Sequence, residues 1–386
     1  MVAASVLAGC GDSGGAPSRD GRFVDWPLFG RVAERTHYLP TTRRSLDPPL
    51  REAWSIDTHA LIEFPPAVAD GVAYVVNKYG NARAVRLRDR KTLWQRITDP
   101  TQAGPPTDVT APVFHQGRVF FAFVDGEVAA VDARTGKTDW VRDLHAHLES
   151  SPLAIDGNLY LGNDKTDVIA LDAANGAIRW RFNSPAAIKA SPSYHDGRLF
   201  TADYEGAMFC LDAKTGHLLW RTNTTRVRPF GLGGFYSSPA IAFGHVYAGR
   251  DDGTVFAFDE ETGKIAWSFP THNFVYGSPV LARVPGTPPS VYIGSYDHHL
   301  YALNALSGKQ EWRYDVGGPV PGTATLIGHT VYTSSFKTQD AIGIDVRTHR
   351  KTFELHNAGY TPAVSDGQRI FLVGYFDLIG LEPKRH

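Results

Sequence analysis

Tryptophan recurs at Trp94, Trp140, Trp180, Trp220, Trp267 and Trp312, at spacings of 40 to 47 residues, and this beat constrains the fold more than any other feature of the chain. A period of that length marks one supersecondary unit copied along the sequence, and about 40–45 residues make one four-stranded blade of a β-propeller. Every copy reads the same way: a small residue and Pro, an Asp-Gly-type turn, a Val-Tyr-like strand, a second turn, an apolar strand, then Ala-x-Asp-x-x-Thr-Gly-x-x-x-Trp. The third copy shows it in full, with Ser151-Pro152-Leu153-Ala154-Ile155-Asp156-Gly157, Leu159-Tyr160-Leu161-Gly162, Val168-Ile169-Ala170-Leu171-Asp172, Asn175-Gly176 and Trp180. Runs such as Val255-Phe256-Ala257-Phe258 are apolar on both faces, which suits a sheet covered on both sides by its neighbours.

Two copies are worn. The first has Arg90 at the Gly position, and the seventh has Gly343, His349 and Phe353 at the Ala, Gly and Trp positions. After it come three strands of an eighth unit, Thr361 to Gly367, Ile370 to Val373 and Leu378 to Leu381, with no closing Trp. Pro49-Leu50-Arg51-Glu52-Ala53-Trp54 reads as the last strand of a copy with nothing before it. An N-terminal strand that completes blade eight joins the chain ends and covers an edge that would otherwise pair with strangers. The expected fold is all-β: an eight-bladed propeller over 49–386, preceded by a surface strap at 26–48.

The eleven-residue repeat is similar to the tryptophan-docking motif of the quinoprotein, or PQQ-like, propellers. The resemblance implies that Trp54, Trp94, Trp140, Trp180, Trp220, Trp267 and Trp312 dock between blades. It also implies that Ala130, Ala170, Ala257 and Ala302 leave room for an indole, and that Gly136, Gly176, Gly216, Gly263 and Gly308 take the positive φ of a tight turn. Cys210 stands at the Ala position of the fourth copy and reads as a small buried core residue. Trp26-Pro27-Leu28-Phe29-Gly30 resembles the opening segment common in this family.

The amino terminus carries an address. Leu7-Ala8-Gly9-Cys10 resembles the lipobox of bacterial lipoproteins, in which small residues precede a cysteine that takes a diacylglyceryl group. Residues 1–10 are thus expected to be a partial signal peptide and lipobox, with Cys10 as the lipidation site, and 11–25 a flexible tether. Only nine residues precede Cys10, none of them Lys or Arg, which departs from the pattern. The expected location is extracytoplasmic, on the periplasmic face of an outer membrane or the outer face of a plasma membrane.

Composition narrows the function classes. With 39 Lys+Arg against 40 Asp+Glu, no excess positive charge draws the chain to phosphates, so nucleic acid is excluded as a partner. Two cysteines, Cys10 and Cys210, make neither a disulfide framework nor a zinc site. The same repeat builds dehydrogenases that carry pyrroloquinoline quinone with calcium. The alcohol-oxidising members hold the quinone beside a disulfide of adjacent cysteines, over Ca²⁺, with an Asp as base, and this chain has no adjacent cysteines. Asp125-Gly126, Glu205-Gly206 and Asp251-Asp252-Gly253 occupy one repeat position and read as hairpin turns in place of a calcium loop. Asp143-Leu144-His145-Ala146-His147 lacks an identifiable third ligand, and Gly231-Leu232-Gly233-Gly234 lacks the Lys-Ser/Thr of a nucleotide loop. No catalytic residue, metal or cofactor is assigned.

Binding is expected at loops around the mouth of the channel. The longest connection, Arg221 to Phe235, offers Arg226, Arg228, Phe230 and Phe235, the composition of a protein contact. The whole pattern of lipobox, repeat and blade number resembles the BamB family of outer-membrane β-barrel assembly lipoproteins. That resemblance implies a non-catalytic, membrane-anchored monomer that binds other proteins within a complex. The other readings are a sensor or scaffold lipoprotein of a single-membrane cell and a quinone-dependent dehydrogenase; a small ligand at the channel mouth also stays open.

Overall fold

The computed structural model describes residues 24–40, 46–96, 109–224, 233–358 and 362–384. All regular structure among them is β, in eight sheets. Seven blades follow one another through 67–96, 113–143, 153–183, 193–223, 240–270, 280–315 and 325–355. In blade 3 the strands are Leu153–Ile155, Asn158–Gly162, Asp167–Asp172 and Ile178–Asn183, here called A to D, each antiparallel to the next. Blade 8 closes as the sequence predicts: Leu50–Asp57 is its outer strand and pairs with Asp377–Pro383, with Trp54 opposite Gly380.

The repeat explains the docking. In blade 3 the Ala170 position lies opposite that blade's own Trp180, while the indole N–H donates to Ala213 O of the next blade at 3.1 Å. The same bond joins Trp94 to Ala133, Trp140 to Ala173, Trp220 to Glu260 and Trp267 to Ala305. The motif glycine does more than turn the chain: a Cβ on Gly176, at φ +71°, would lie 2.7 Å from the ring of Trp140. The alanine therefore makes room within its own blade, and the glycine is the surface on which the preceding blade's indole rests. In the worn blade 7, His349 takes the glycine's place and stacks on Trp312 at 5.1 Å. The motif Asp folds the turn, as Asp212 accepts from Thr215 N and Oγ1 at 2.7 and 2.6 Å. Those bonds hold its carboxyl below the usual range.

Residues 24–39 differ from expectation. They do not lie on the surface but pass once around the inside of the channel, bonding to the innermost strand or turn of blade after blade. Val24 N donates to Asp366 O, Trp26 exchanges bonds with Val68, and Phe114, Tyr194, Ile241, Leu281 and Leu326 N–H groups donate to Pro27, Ala33, Glu34, Thr36 and His37 carbonyls. Tyr38–Leu39 then adds a parallel strand to blade 7. Trp26, Arg35 and His37 are buried. An extended segment carries unpaired backbone groups, and the channel wall, made of strand A edges, is where they are satisfied.

Candidate functional site

The antiparallel blades give the ring two unlike faces. A–B and C–D turns form one, and this is the face the strap closes. B–C turns and the connections between blades form the other, where the channel opens as a cavity of about 160 Å³. Phe29 of the strap is its floor, braced from behind by Arg35, whose guanidinium lies 5.6 Å from the ring centre, and by His37 edge-on at 4.7 Å. Among the described residues no carboxylate contacts Arg35. It donates instead to the carbonyls of Phe29, Ser151, Pro152 and Pro192 at 2.6 to 3.3 Å, and burial brings its pKa down to about 9. Burial and the Arg35 charge together hold His37 down to about 3, so it is neutral there.

An arc of hydroxyls lines the cavity along blades 3 to 7. The residue that leads into strand A of each of these blades supplies one: Ala111 N donates to Ser151 Oγ, Ser151 N to Ser191, Ser191 N to Ser238, Ser238 N to Ser278 and Ser278 N to Thr323, at 2.8 to 3.2 Å. Above these hydroxyls, Lys189 bonds Glu149 at 2.9 Å and lies over the rings of Tyr204 and Tyr236, and Tyr236 donates to the other oxygen of Glu149 at 2.8 Å. Burial, then Glu149, pushes the Tyr236 phenol above its ordinary value. Across the mouth Lys78 bonds Glu63 at 3.2 Å. From Tyr236 an arc of rings runs outward over blades 5 to 7 through Tyr276, Phe274, Tyr296 and Phe336, with centroids 5.2 to 6.3 Å apart.

The long connection proposed from sequence is answered in part. Arg226, Arg228 and Phe230, like Cys10, lie outside the described residues. Phe235 is not a surface contact: it is fully buried, packed edge-on against Phe256 and Phe258. Its neighbour Tyr236 faces the mouth instead, a position legible from its place two residues before the blade's Ser238-Pro239 opening, which Tyr276 shares. Cys210 is buried, its thiol pushed up to about 12 by burial. His145 is exposed and pairs with Asp143 at 2.7 Å. Asp251-Asp252-Gly253 does make a turn, but it also holds a fully buried ion pair of Asp252 with Arg250, which the sequence reading missed. Asp251 accepts from Gly233 and Gly234 N–H at 2.7 and 3.0 Å.

Fold and docking motif define a propeller of the PQQ-like repeat class. The chain belongs to the family described as "Outer membrane protein assembly factor BamB", which matches residues 51–166 and 164–379. It is 31% identical over 154 residues to a "1-butanol dehydrogenase (cytochrome c)" of Thauera butanivorans, covering 36% of this chain and 22% of that protein. To "Outer membrane protein assembly factor BamB" of Salmonella typhimurium it is 34% identical over 87 residues, 21% of this chain and 22% of that one. The chain thus aligns with about a fifth of the length of these curated relatives. Among solved structures, BamB from Moraxella catarrhalis superposes with a TM-score of 0.70 at 17% identity, over 86% of this chain and 99% of that one. A quinohemoprotein alcohol dehydrogenase from Comamonas testosteroni gives 0.77 at 15% identity, over 96% and 82%.

Dehydrogenase relatives raise the question of pyrroloquinoline quinone, a tricarboxylate bound over Ca²⁺. The mouth does not fit it. Its carboxylates, Glu63 and Glu149, are each taken by a lysine, and among the described residues no group of three or more His, Cys, Asp or Glu is placed to hold a metal. The cavity is also smaller than the roughly 300–1,000 Å³ usual for small-molecule sites.

Proposed function

We propose that this chain is a non-catalytic scaffold that binds another polypeptide through the open face of its propeller, as a BamB-like assembly factor anchored to a membrane by Cys10. The observation that carries this reading is where the exposed aromatics lie. Among the described residues, the large aromatic side chains that stand most exposed are Tyr79, Tyr236, Phe336 and Phe376, and all four sit on B–C turns or inter-blade connections of that one face. Exposed aromatics gathered on one face are the composition of protein contacts. At the mouth Glu63 pairs with Lys78 and Glu149 with Lys189, so neither of these carboxylates stands free as a base. Residue 24 joins the fold at the opposite face, against the blade 8 turn at Gly367. An anchor at Cys10 through a flexible tether leaves the aromatic face uncovered by the strap. Affinity capture of the cross-linked protein from its own membranes tests this, with dye-linked oxidation assayed in parallel in the presence of the quinone and Ca²⁺. Recovery of a β-barrel assembly protein supports the reading; quinone-dependent turnover overturns it.

A further inference from the structure

We propose that the cavity at the channel mouth is an anchor pocket for one tyrosine side chain of the bound polypeptide. The inference rests on the protein-binding reading and makes it specific. Size comes first. An engineered cavity of about 150 Å³ takes one benzene, so the cavity of about 160 Å³ admits one six-membered ring and little more. Its walls come next: Phe29 below and Phe64, Tyr236 and Tyr276 at the sides offer ring faces and edges, the surroundings in which an aromatic side chain is favoured.

The hydroxyl arc then selects among rings. Ser151, Ser191, Ser238, Ser278 and Thr323 each accept a backbone N–H, which leaves each hydroxyl its own proton to donate. A phenylalanine would bury those protons against a ring edge, at the cost of an unmet donor, whereas a phenol oxygen, through its lone pairs, accepts from the nearest of them. A sugar needs partners all around its rim, and Phe29, Phe64, Pro321 and Pro362 supply none. Glu63 and Glu149 are each neutralised by a lysine, so the mouth favours a neutral group over a charged one. A buried aromatic held by a desolvated pocket is the usual centre of a protein interface.

The test uses the whole chain and defined probes: N-acetyl-tyrosinamide, N-acetyl-phenylalaninamide, N-acetyl-alaninamide and glucose, titrated by calorimetry. The tyrosine amide is expected to bind saturably in the millimolar range, at least about fivefold tighter than the phenylalanine amide, with no binding of the other two. Tyr276→Ala weakens it about tenfold, while Thr323→Val lowers the tyrosine preference and leaves phenylalanine binding unchanged. No saturable binding of the tyrosine amide at about 10 mM, equal binding of both aromatic amides, or preference for glucose overturns the proposal. Capture of a protein partner by a chain that ignores the tyrosine amide sinks the pocket and leaves the scaffold reading standing. Tyrosine binding with no captured partner does the reverse.

Discussion

The two ends of the channel are built by the same eight blades, yet one is filled and the other open. At the closed end a single segment, 24–39, satisfies its backbone against the innermost strands and fixes a buried Arg35 by four carbonyls. At the open end the blades satisfy one another through the hydroxyl arc, and the loops above put aromatic surface into solvent. Repetition gives the ring two unlike faces, and the strap, which lies outside the repeat, closes one of them and leaves the other open.

Each end can be broken separately. The largest effect is expected at the closed end: Arg35→Met strands four buried carbonyls and should cost about 3–5 kcal/mol, read by urea denaturation. A loss below about 1 kcal/mol would mean that the strap is held by its backbone alone. Next, two glycines of blade 3 separate turn strain from docking. Gly157 and Gly176 share φ near +72°, but a Cβ on Gly157 meets nothing within 4 Å, whereas one on Gly176 meets Trp140. Gly157→Ala should cost about 1 kcal/mol and Gly176→Ala about 3 kcal/mol.

His37 makes the closed end sensitive to acid. Its folded pKa of about 3 lies below the ordinary 6.5, so the unfolded chain takes up the proton first. Stability from this group is complete above about pH 6.5 and is lost as pH falls, by about 2 kcal/mol at pH 5. Asp25, raised to about 6 mainly by burial, acts in the opposite sense and gains as pH falls through that value. Wild type should therefore lose more of its melting temperature between pH 7 and pH 5 than His37→Leu does; equal slopes would refute the assignment. The smallest effect on stability belongs to the open end. Phe336→Ala should change it by less than about 0.5 kcal/mol while weakening partner capture.

Much of the ring was legible in the sequence, because the docking tryptophans from Trp94 to Trp312 each mark a blade and Trp54 without a blade before it points to closure by the N-terminal strand. The course of 24–39 was not, since a segment of that length finds its partners only once eight distant strands have formed the channel wall. The candidate site was half legible. Phe235 and Tyr236 are adjacent, and in extended chain adjacent side chains face opposite ways, so a shift of one residue decides which packs inside and which meets the mouth. Arg250–Asp252 was hidden because the same Asp-Gly letters also spell an ordinary turn.

The most direct test of the account places a photo-crosslinking side chain at Phe336 on the open face or at Asp156 on the closed face, in the anchored protein in its own membranes. The account predicts cross-links to another protein from position 336 and not from 156. Cross-links from 156 alone, or equal yields from both faces, would contradict it.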